Sequence, residues 1–267
     1  MSARIAIETK NVSKTFGAGA RKVRALSDVS IQINRGELTL LMGPSGSGKT
    51  TLLSILGCIL SASAGEVWVA GNPISALSPE SLAALRRRHL GFVFQSYNLF
   101  PTLTATENIL LALEVRGFRG TEARQFSASA LDQVGLSDKQ RSNPGTLSGG
   151  QQQRLAIARA LAGNPTILLA DEPTAALDTE NGAAVMALLA GVAKTGDRAV
   201  LAVTHDPRTI AYADRVIEIL DGRIVGDSRH TPSVPAPVVS RPVANNRNNI
   251  KGKSRNGPAG RSRKKGR

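Results

Sequence analysis

Leu38-Thr39-Leu40-Leu41-Met42-Gly43-Pro44-Ser45-Gly46-Ser47-Gly48-Lys49-Thr50-Thr51-Leu52-Leu53 is the stretch on which the fold turns. Leu38–Met42 is a continuous apolar run of strand length, which reads as a strand covered on both faces. Lys49–Gly57 follows as a helix. Between them Gly43-Pro44-Ser45-Gly46-Ser47-Gly48-Lys49-Thr50 matches the phosphate-loop pattern in its required setting, strand before and helix after. The glycines let the backbone curl until successive N–H groups face a phosphate, and the helix adds the positive end of its dipole. Lys49 would reach the β- and γ-phosphates, Thr50 would offer its hydroxyl to Mg²⁺, and Thr51 extends the loop's polar lining. A flexible Gly/Ser turn that happens to end in Lys-Thr would need neither flanking element. The stretch predicts an α/β, P-loop NTPase core.

Outward from it, the sequence from residue 1 to 227 alternates short apolar runs with helical patterns, the texture of an α/β body. Ile5–Glu8, Val29–Ile33, Glu66–Ala70, Thr166–Ala170, Ala199–Val203 and Arg215–Ile219 read as further strands. Asp221-Gly222 reads as a hairpin turn into a last strand, Arg223–Val225. The strands before and just after the phosphate loop suggest an antiparallel β lobe beside a mixed or parallel core sheet. Helices are expected at Ser78–Arg88, Gly150–Ala162 and Glu180–Lys194. From about 96 to 147 only helices are legible, Thr104–Arg116 and Thr121–Val134, so this span reads as an all-helical insert.

Thr166-Ile167-Leu168-Leu169-Ala170-Asp171-Glu172 supplies the second half of the chemistry. An apolar strand ending in two carboxylates puts Asp171 beside the metal and turns Glu172 toward a water positioned for in-line attack. By itself the pair reads better as a loop cap before Pro173; the phosphate loop turns the balance. Leu147-Ser148-Gly149-Gly150-Gln151, at the start of a helix, is a second anion-binding surface in the same chain. One nucleotide has one γ-phosphate, so a second surface makes sense if it serves a nucleotide held by another copy.

With this pentapeptide the chain resembles the ABC ATPase family, within it the macrolide-efflux and lipoprotein-release exporter group. The similarity covers about residues 4–227 and carries an all-round set of expectations. Gln95 corresponds to the glutamine that joins core and helical insert, and is implied to touch both nucleotide and metal. His205, in Val203-Thr204-His205-Asp206, corresponds to the switch histidine, and Phe16 to the aromatic residue that stacks on adenine. The resemblance therefore implies Lys49, Glu172 and His205 as catalytic groups and Thr50, Gln95 and Asp171 around Mg²⁺. ATP would be bound by Phe16, Gly43–Thr51, Gln95 and Asp171, and, from a second copy, by Ser148, Gly149, Gly150 and Gln151. One motif departs from the family pattern: where Ser-Ala-Leu-Asp is usual, this chain has Ala175-Ala176-Leu177-Asp178. Implied partners are a second copy of the chain in an ATP-sandwich dimer and an integral-membrane permease, with Tyr97–Phe100 part of the groove that receives it. The implied location is peripheral, on the cytoplasmic face of the inner or plasma membrane. Alternatives are an importer ATPase or a soluble ABC ATPase of translation or DNA repair; the two fused cassettes or long coiled coil usual in the latter are not in this sequence.

Charge narrows the partners further. Of the net +14, eleven positive charges follow Asp227 and no acid does, which leaves residues 1–227 with about +3. Inferences from charge therefore concern the tail alone. Residues 228–267, rich in Pro, Asn, Ser, Gly, Arg and Lys, read as disordered. Attraction to an anionic membrane surface is a second reading of that tail, and no specific nucleic-acid contact is expected. The single cysteine, Cys58, excludes an internal disulfide and reads as a small buried hydrophobe. No signal-peptide pattern and no spanning run is legible.

Overall fold

In the computed structural model, residues 5–195, 197–237 and 239 are described. Two sheets form the body. The core sheet has the strand order β11-β10-β4-β9-β8-β7, built from β4 (Glu37–Met42), β7 (Leu90–Val93), β8 (Ile167–Asp171), β9 (Ala199–Thr204), β10 (Arg215–Leu220) and β11 (Arg223–Arg229). Its first five members in chain order run parallel, and β11 returns antiparallel along β10. The second sheet is antiparallel, with β1 (Ile5–Phe16) at its centre, flanked by β2 (Val23–Val29), β3 (Gln32–Asn34) and β5 (Ala64–Val69), and β6 (Asn72–Pro73) beyond β5.

Period-two alternation explains how the core sheet is covered on both faces. Leu168 and Ala170 of β8 and Val200 and Ala202 of β9 join one hydrophobic cluster, shared with the helices. Ile167, Leu169, Leu201 and Val203 point into the other, shared with the antiparallel sheet and with α1 (Lys49–Leu56). Each fully buried Leu, Ile or Val among them contributes roughly 1.5–3 kcal/mol of transfer free energy. This is why β4, β8 and β9 read as continuous apolar runs.

The expected insert is helical. α3 (Ala105–Val115) starts at a capping box in which Thr104 and Glu107 satisfy each other's backbone N–H groups, and α4 (Gly120–Gln133) follows. Two short 3-10 turns lead to α5 (Gly149–Leu161). On the other side α2 (Pro79–His89) is capped by Ser78 and carries four basic residues in its last turn, where cations suit the dipole. α6 (Thr179–Thr195) packs against β4 and β9.

Two readings need correction. Val29–Ile33 is not one strand: Val29 ends β2, and Ile31 is diverted to bond Thr9, its N–H to Oγ1 at 2.9 Å and its carbonyl from the Thr9 N–H at 2.8 Å. The strand Val23–Val29 escaped detection because irregular register with β1 between Val12 and Thr15 erases the alternation of its burial. The second correction concerns the chain after Asp227, where composition suggests disorder. There β11 continues to Arg229, the His230 N–H bonds the Asp214 carbonyl at 2.9 Å, and the Ser233 and Val234 N–H groups reach that of Ala211. Pro237 and Val239 then press on Gly191 of α6, Val239 joining the core. The rest of the predicted tail, from Ser240, lies outside the described residues. Cys58 is buried and its thiol is pushed up to about 11 by burial, which fits an inert packing role.

Candidate nucleotide site

A cavity of about 530 Å³ opens at the C-terminal ends of β4, β8 and β9. Open parallel sheets place their ligands at this edge. It is lined by residues of the phosphate loop together with Gln95, Asp171, Glu172 and His205. Sequence positions spread over more than 160 residues thus meet in one place.

The loop is shaped for backbone contacts. Gly46 and Gly48 sit at φ +81° and +99°, a region that side chains disfavour. A Cβ on Gly43 would lie 2.1 Å from the Ile219 carbonyl, and one on Gly48 2.6 Å from that of Ala25. No side chain caps α1, so its first N–H groups are free to bind an anion. Lys49 is buried, and its ammonium donates to the carbonyls of Gly43 (2.8 Å) and Pro44 (2.7 Å). Ser47 is also buried, with a hydroxyl that has no partner.

Asp171 ends β8, near the Thr50 hydroxyl. Burial, reinforced by the neighbouring Glu172 charge, holds its carboxyl above the usual range, and the nearby Lys49 charge and Thr50 hydroxyl only partly offset this. A carboxylate kept short of positive charge is a fitting receptor for a cation. Hydroxyl, carboxylate and amide oxygens from Thr50, Asp171 and Gln95 make a hard donor set suited to Mg²⁺. Glu172 adopts φ +46°, unusual for a side-chain-bearing residue. Its N–H bonds the Val203 carbonyl at 3.0 Å, and its Oε1 accepts a 2.9 Å bond from His205 Nδ1.

Residues 147–151 do not line this cavity. Ser148 caps α5 in a reciprocal box with Gln151, its oxygen taking the Gln151 N–H at 3.3 Å. Gly149 leaves room for the Tyr97 hydroxyl and Gly150 for Asn181, whose carboxamide oxygen would lie 2.1 Å from an added Cβ. Asn181 in turn bonds Asp178 through its N–H (2.9 Å) and side-chain nitrogen (2.7 Å), so the altered Ala175–Asp178 stretch keeps its carboxylate engaged. Phe16 also lies outside the cavity lining, 42% exposed, with the Lys14 ammonium 5.1 Å from its ring centre.

Two contributors were missed in the sequence. Ala25 lines the cavity from β2. Gly222, read only as a hairpin turn, braces the loop: its N–H bonds the Ser47 carbonyl at 3.0 Å, and its own carbonyl takes the Ser27 N–H at 2.8 Å. Neither has a side-chain signal, because both act through the backbone.

A parallel core whose central strand feeds a glycine loop, with an acidic pair ending the strand two places away, defines a P-loop nucleotide hydrolase. The family model described as "ABC transporter" matches residues 26–175. The macrolide export ATP-binding/permease protein MacB of Neisseria gonorrhoeae is 45% identical over 235 residues, 88% of this chain and 36% of that protein. Its namesake in Photorhabdus laumondii is 43% identical over 242 residues. Among solved structures, the dimeric ATP-binding cassette MJ0796 bound to ADP and Pi superposes with a TM-score of 0.76 at 41% identity, covering 84% of this chain and 98% of that one. The structure of cbiO1 from Clostridium perfringens, part of the cbiONQ transporter complex, gives 0.77 at 28% identity, covering 85% and 89%. This chain belongs to the ABC transporter family and is one of its ATPase cassettes. It spans little more than a third of the length of the curated relatives it matches.

Proposed function

We propose that the chain is the ATP-hydrolysing subunit of an exporter, working as a pair of copies that clasp two MgATP and drive a separate permease. One observation carries this: the cavity gathers Lys49, Thr50, Gln95, Asp171, Glu172 and His205, yet the anion-receiving end of α5 at Ser148 lies outside it. A site with all but one wall invites a second copy to supply that wall.

In this reading Lys49 exchanges the Gly43 and Pro44 carbonyls for the β- and γ-phosphates, which the loop N–H groups also cradle. Bound Mg²⁺ would be held by Thr50, Asp171 and Gln95 and would neutralise charge on the phosphate oxygens. Glu172 orients the attacking water and accepts its proton; His205 releases its bond to Glu172 and turns to the γ-phosphate. Ser148 and Gly150 of the second copy complete the pocket. The relatives named as ATP-binding/permease proteins support a transport role and an export direction, with this chain peripheral at the cytoplasmic face of a membrane. No helix of the described residues is long and apolar enough to cross one. The anionic-leaflet role of the basic C-terminal stretch rests on its charge alone.

Ser148→Arg is the test. It should abolish self-association under MgATP and lower ATP turnover by about 100-fold, the scale of losing an anion-stabilising donor. Parental turnover by a monomeric variant would refute the shared site.

A further inference from the structure

A second cavity, an apolar groove of about 540 Å³ between the core sheet and the helical insert, is lined by Arg86, Arg87, Arg116 and Arg159. It includes Phe100, from the stretch expected to meet a permease. The chain past β11 lines neither this groove nor the nucleotide cavity. It runs as a strap in which Pro232, Val234 and Ala236 are half-buried while Ser233, Pro235 and Pro237 are exposed. That alternation turns one face of the strap inward. Its prolines restrict the unfolded chain and so lower the entropy lost when the strap is ordered.

The seat of the strap is built on two elements. α6 carries Gly191, buried in the helix interior, where glycine costs about 1 kcal/mol relative to alanine. A Cβ there would lie 2.6 Å from the Pro237 carbonyl oxygen and 2.7 Å from Val239 Cγ2. The absent side chain is therefore the slot that takes the end of the strap, and Val239 is 5% exposed in it. The other element is the 3-10 helix Pro207–Tyr212, which begins two residues after His205. Near its end the Ala211 carbonyl accepts the Ser233 N–H at 3.0 Å and the Val234 N–H at 3.2 Å. At its start Asp206 takes the Arg208 N–H at 2.9 Å, and Arg208 Nη1 reaches the hydroxyl of Thr179, the first residue of α6, at 3.0 Å. A short 3-10 helix holds itself poorly, because its own hydrogen bonds are badly aligned. This one is fastened to α6 from both ends, and His205, bonded to Glu172 at 2.9 Å, stands at its head.

We propose that the strap, residues 230–237 and 239, is a positioning element of the ATPase: by clamping the 3-10 helix to α6 it fixes the backbone from which His205 turns from Glu172 to the γ-phosphate. This rests on the role of His205 given above and adds what holds that residue in place. Because the strap lines no part of the nucleotide cavity, its effect falls on turnover and leaves nucleotide binding alone.

The test uses the full chain. Gly191→Val, which fills the slot, should lower kcat at least about tenfold, the scale of a slightly misplaced catalytic group, and leave the KM for MgATP unchanged. Gly191→Cys combined with Val239→Cys keeps the test valid if Gly191→Val disturbs α6. Val239 Cγ2 stands 2.7 Å from a Cβ at 191, so oxidation should join the two positions and reseat the strap. Turnover should be low in the reduced pair, return to the parental rate on oxidation and fall again on reduction; Cys58 is buried and does not compete. In a His205→Ala chain Gly191→Val should cost nothing further, because the strap acts through that side chain. A further loss in the His205→Ala chain, a KM that rises as kcat falls, or a rate indifferent to the state of the strap would overturn the inference and leave the role of His205 standing. Parental turnover by His205→Ala alone would overturn both.

Discussion

The nucleotide cavity and the arginine-rimmed groove are nearly equal in volume, about 530 and 540 Å³, and are built in opposite ways. The first is made mostly by one contiguous loop whose backbone does the binding, with a few carboxylate, amide and imidazole groups added from strand ends. The second is made by side chains from α2, α3, α5 and β7, no two elements contributing a recognisable motif. The phosphate loop dictates the cavity's shape through its backbone, so its geometry is tightly specified. The groove carries no such motif; its apolar lining and four arginines set it apart. Arg159 links them physically: it leaves α5, whose first turn is Ser148–Gln151, and holds the carbonyls of Tyr97 (2.8 Å) and Asn98 at the edge of the groove. Tyr97 and Asn98 both have positive φ, a shape that needs such support.

The contrast can be broken at several points. The largest effect is expected for Glu172→Gln, which should lower kcat by roughly 10²–10⁴-fold while nucleotide binding persists, because only proton transfer and water placement are lost. Size-exclusion chromatography under MgATP should show a longer-lived dimer; near-parental turnover would assign water activation elsewhere. Gly43→Ala comes next. Its Cβ would collide with the Ile219 carbonyl, part of the backbone, so the loop must move. A stability loss of about 1–3 kcal/mol, read by denaturant titration, should accompany weaker nucleotide binding.

Arg159→Met tests the link. Loss of bonds from a charged group to two carbonyls should destabilise by about 2 kcal/mol. The informative readout is stimulation of ATPase by the permease, which should drop more than the basal rate; equal losses would make Arg159 a local brace only.

The smallest effect has the opposite sign. Burial and Glu172 raise the folded carboxyl of Asp171 above its unfolded value, so its ionised form costs stability at neutral pH, and this cost is relieved as pH falls through the raised value. Asp171→Asn should therefore raise the Tm of the ligand-free protein by about 2 °C at neutral pH, with the advantage shrinking under acid. A lower Tm for the variant at pH 7 would contradict this sign. Its Mg²⁺-dependent turnover should fall.

Several features were legible because they depend on near neighbours in the chain. The phosphate loop, the acidic pair at the end of β8 and the helix starts near Thr104 and Gly150 each involve residues within a few positions, and the structure forms all of them. The break between β2 and β3 was not legible, because Thr9, some 22 positions away, captures Ile31. Nor was the course of residues 230–237 and 239, whose sparse apolar content predicts disorder. That stretch is held by carbonyls at Asp214 and Ala211 and by the gap left at Gly191, none of which composition records. Phe16, whose position in the sequence resembles an adenine platform, stands outside the cavity lining and is 42% exposed.

By itself the sequence determined that this chain folds as a P-loop core with a helical insert and carries the groups for nucleotide hydrolysis, since local backbone conformation and two hydrophobic periods encode both. Tertiary structure alone decided which groups share one cavity, that the end of α5 lies outside it, and that four arginines line an apolar groove. Burial and electrostatic balance are properties of atoms brought together from distant positions, and no window of sequence contains them.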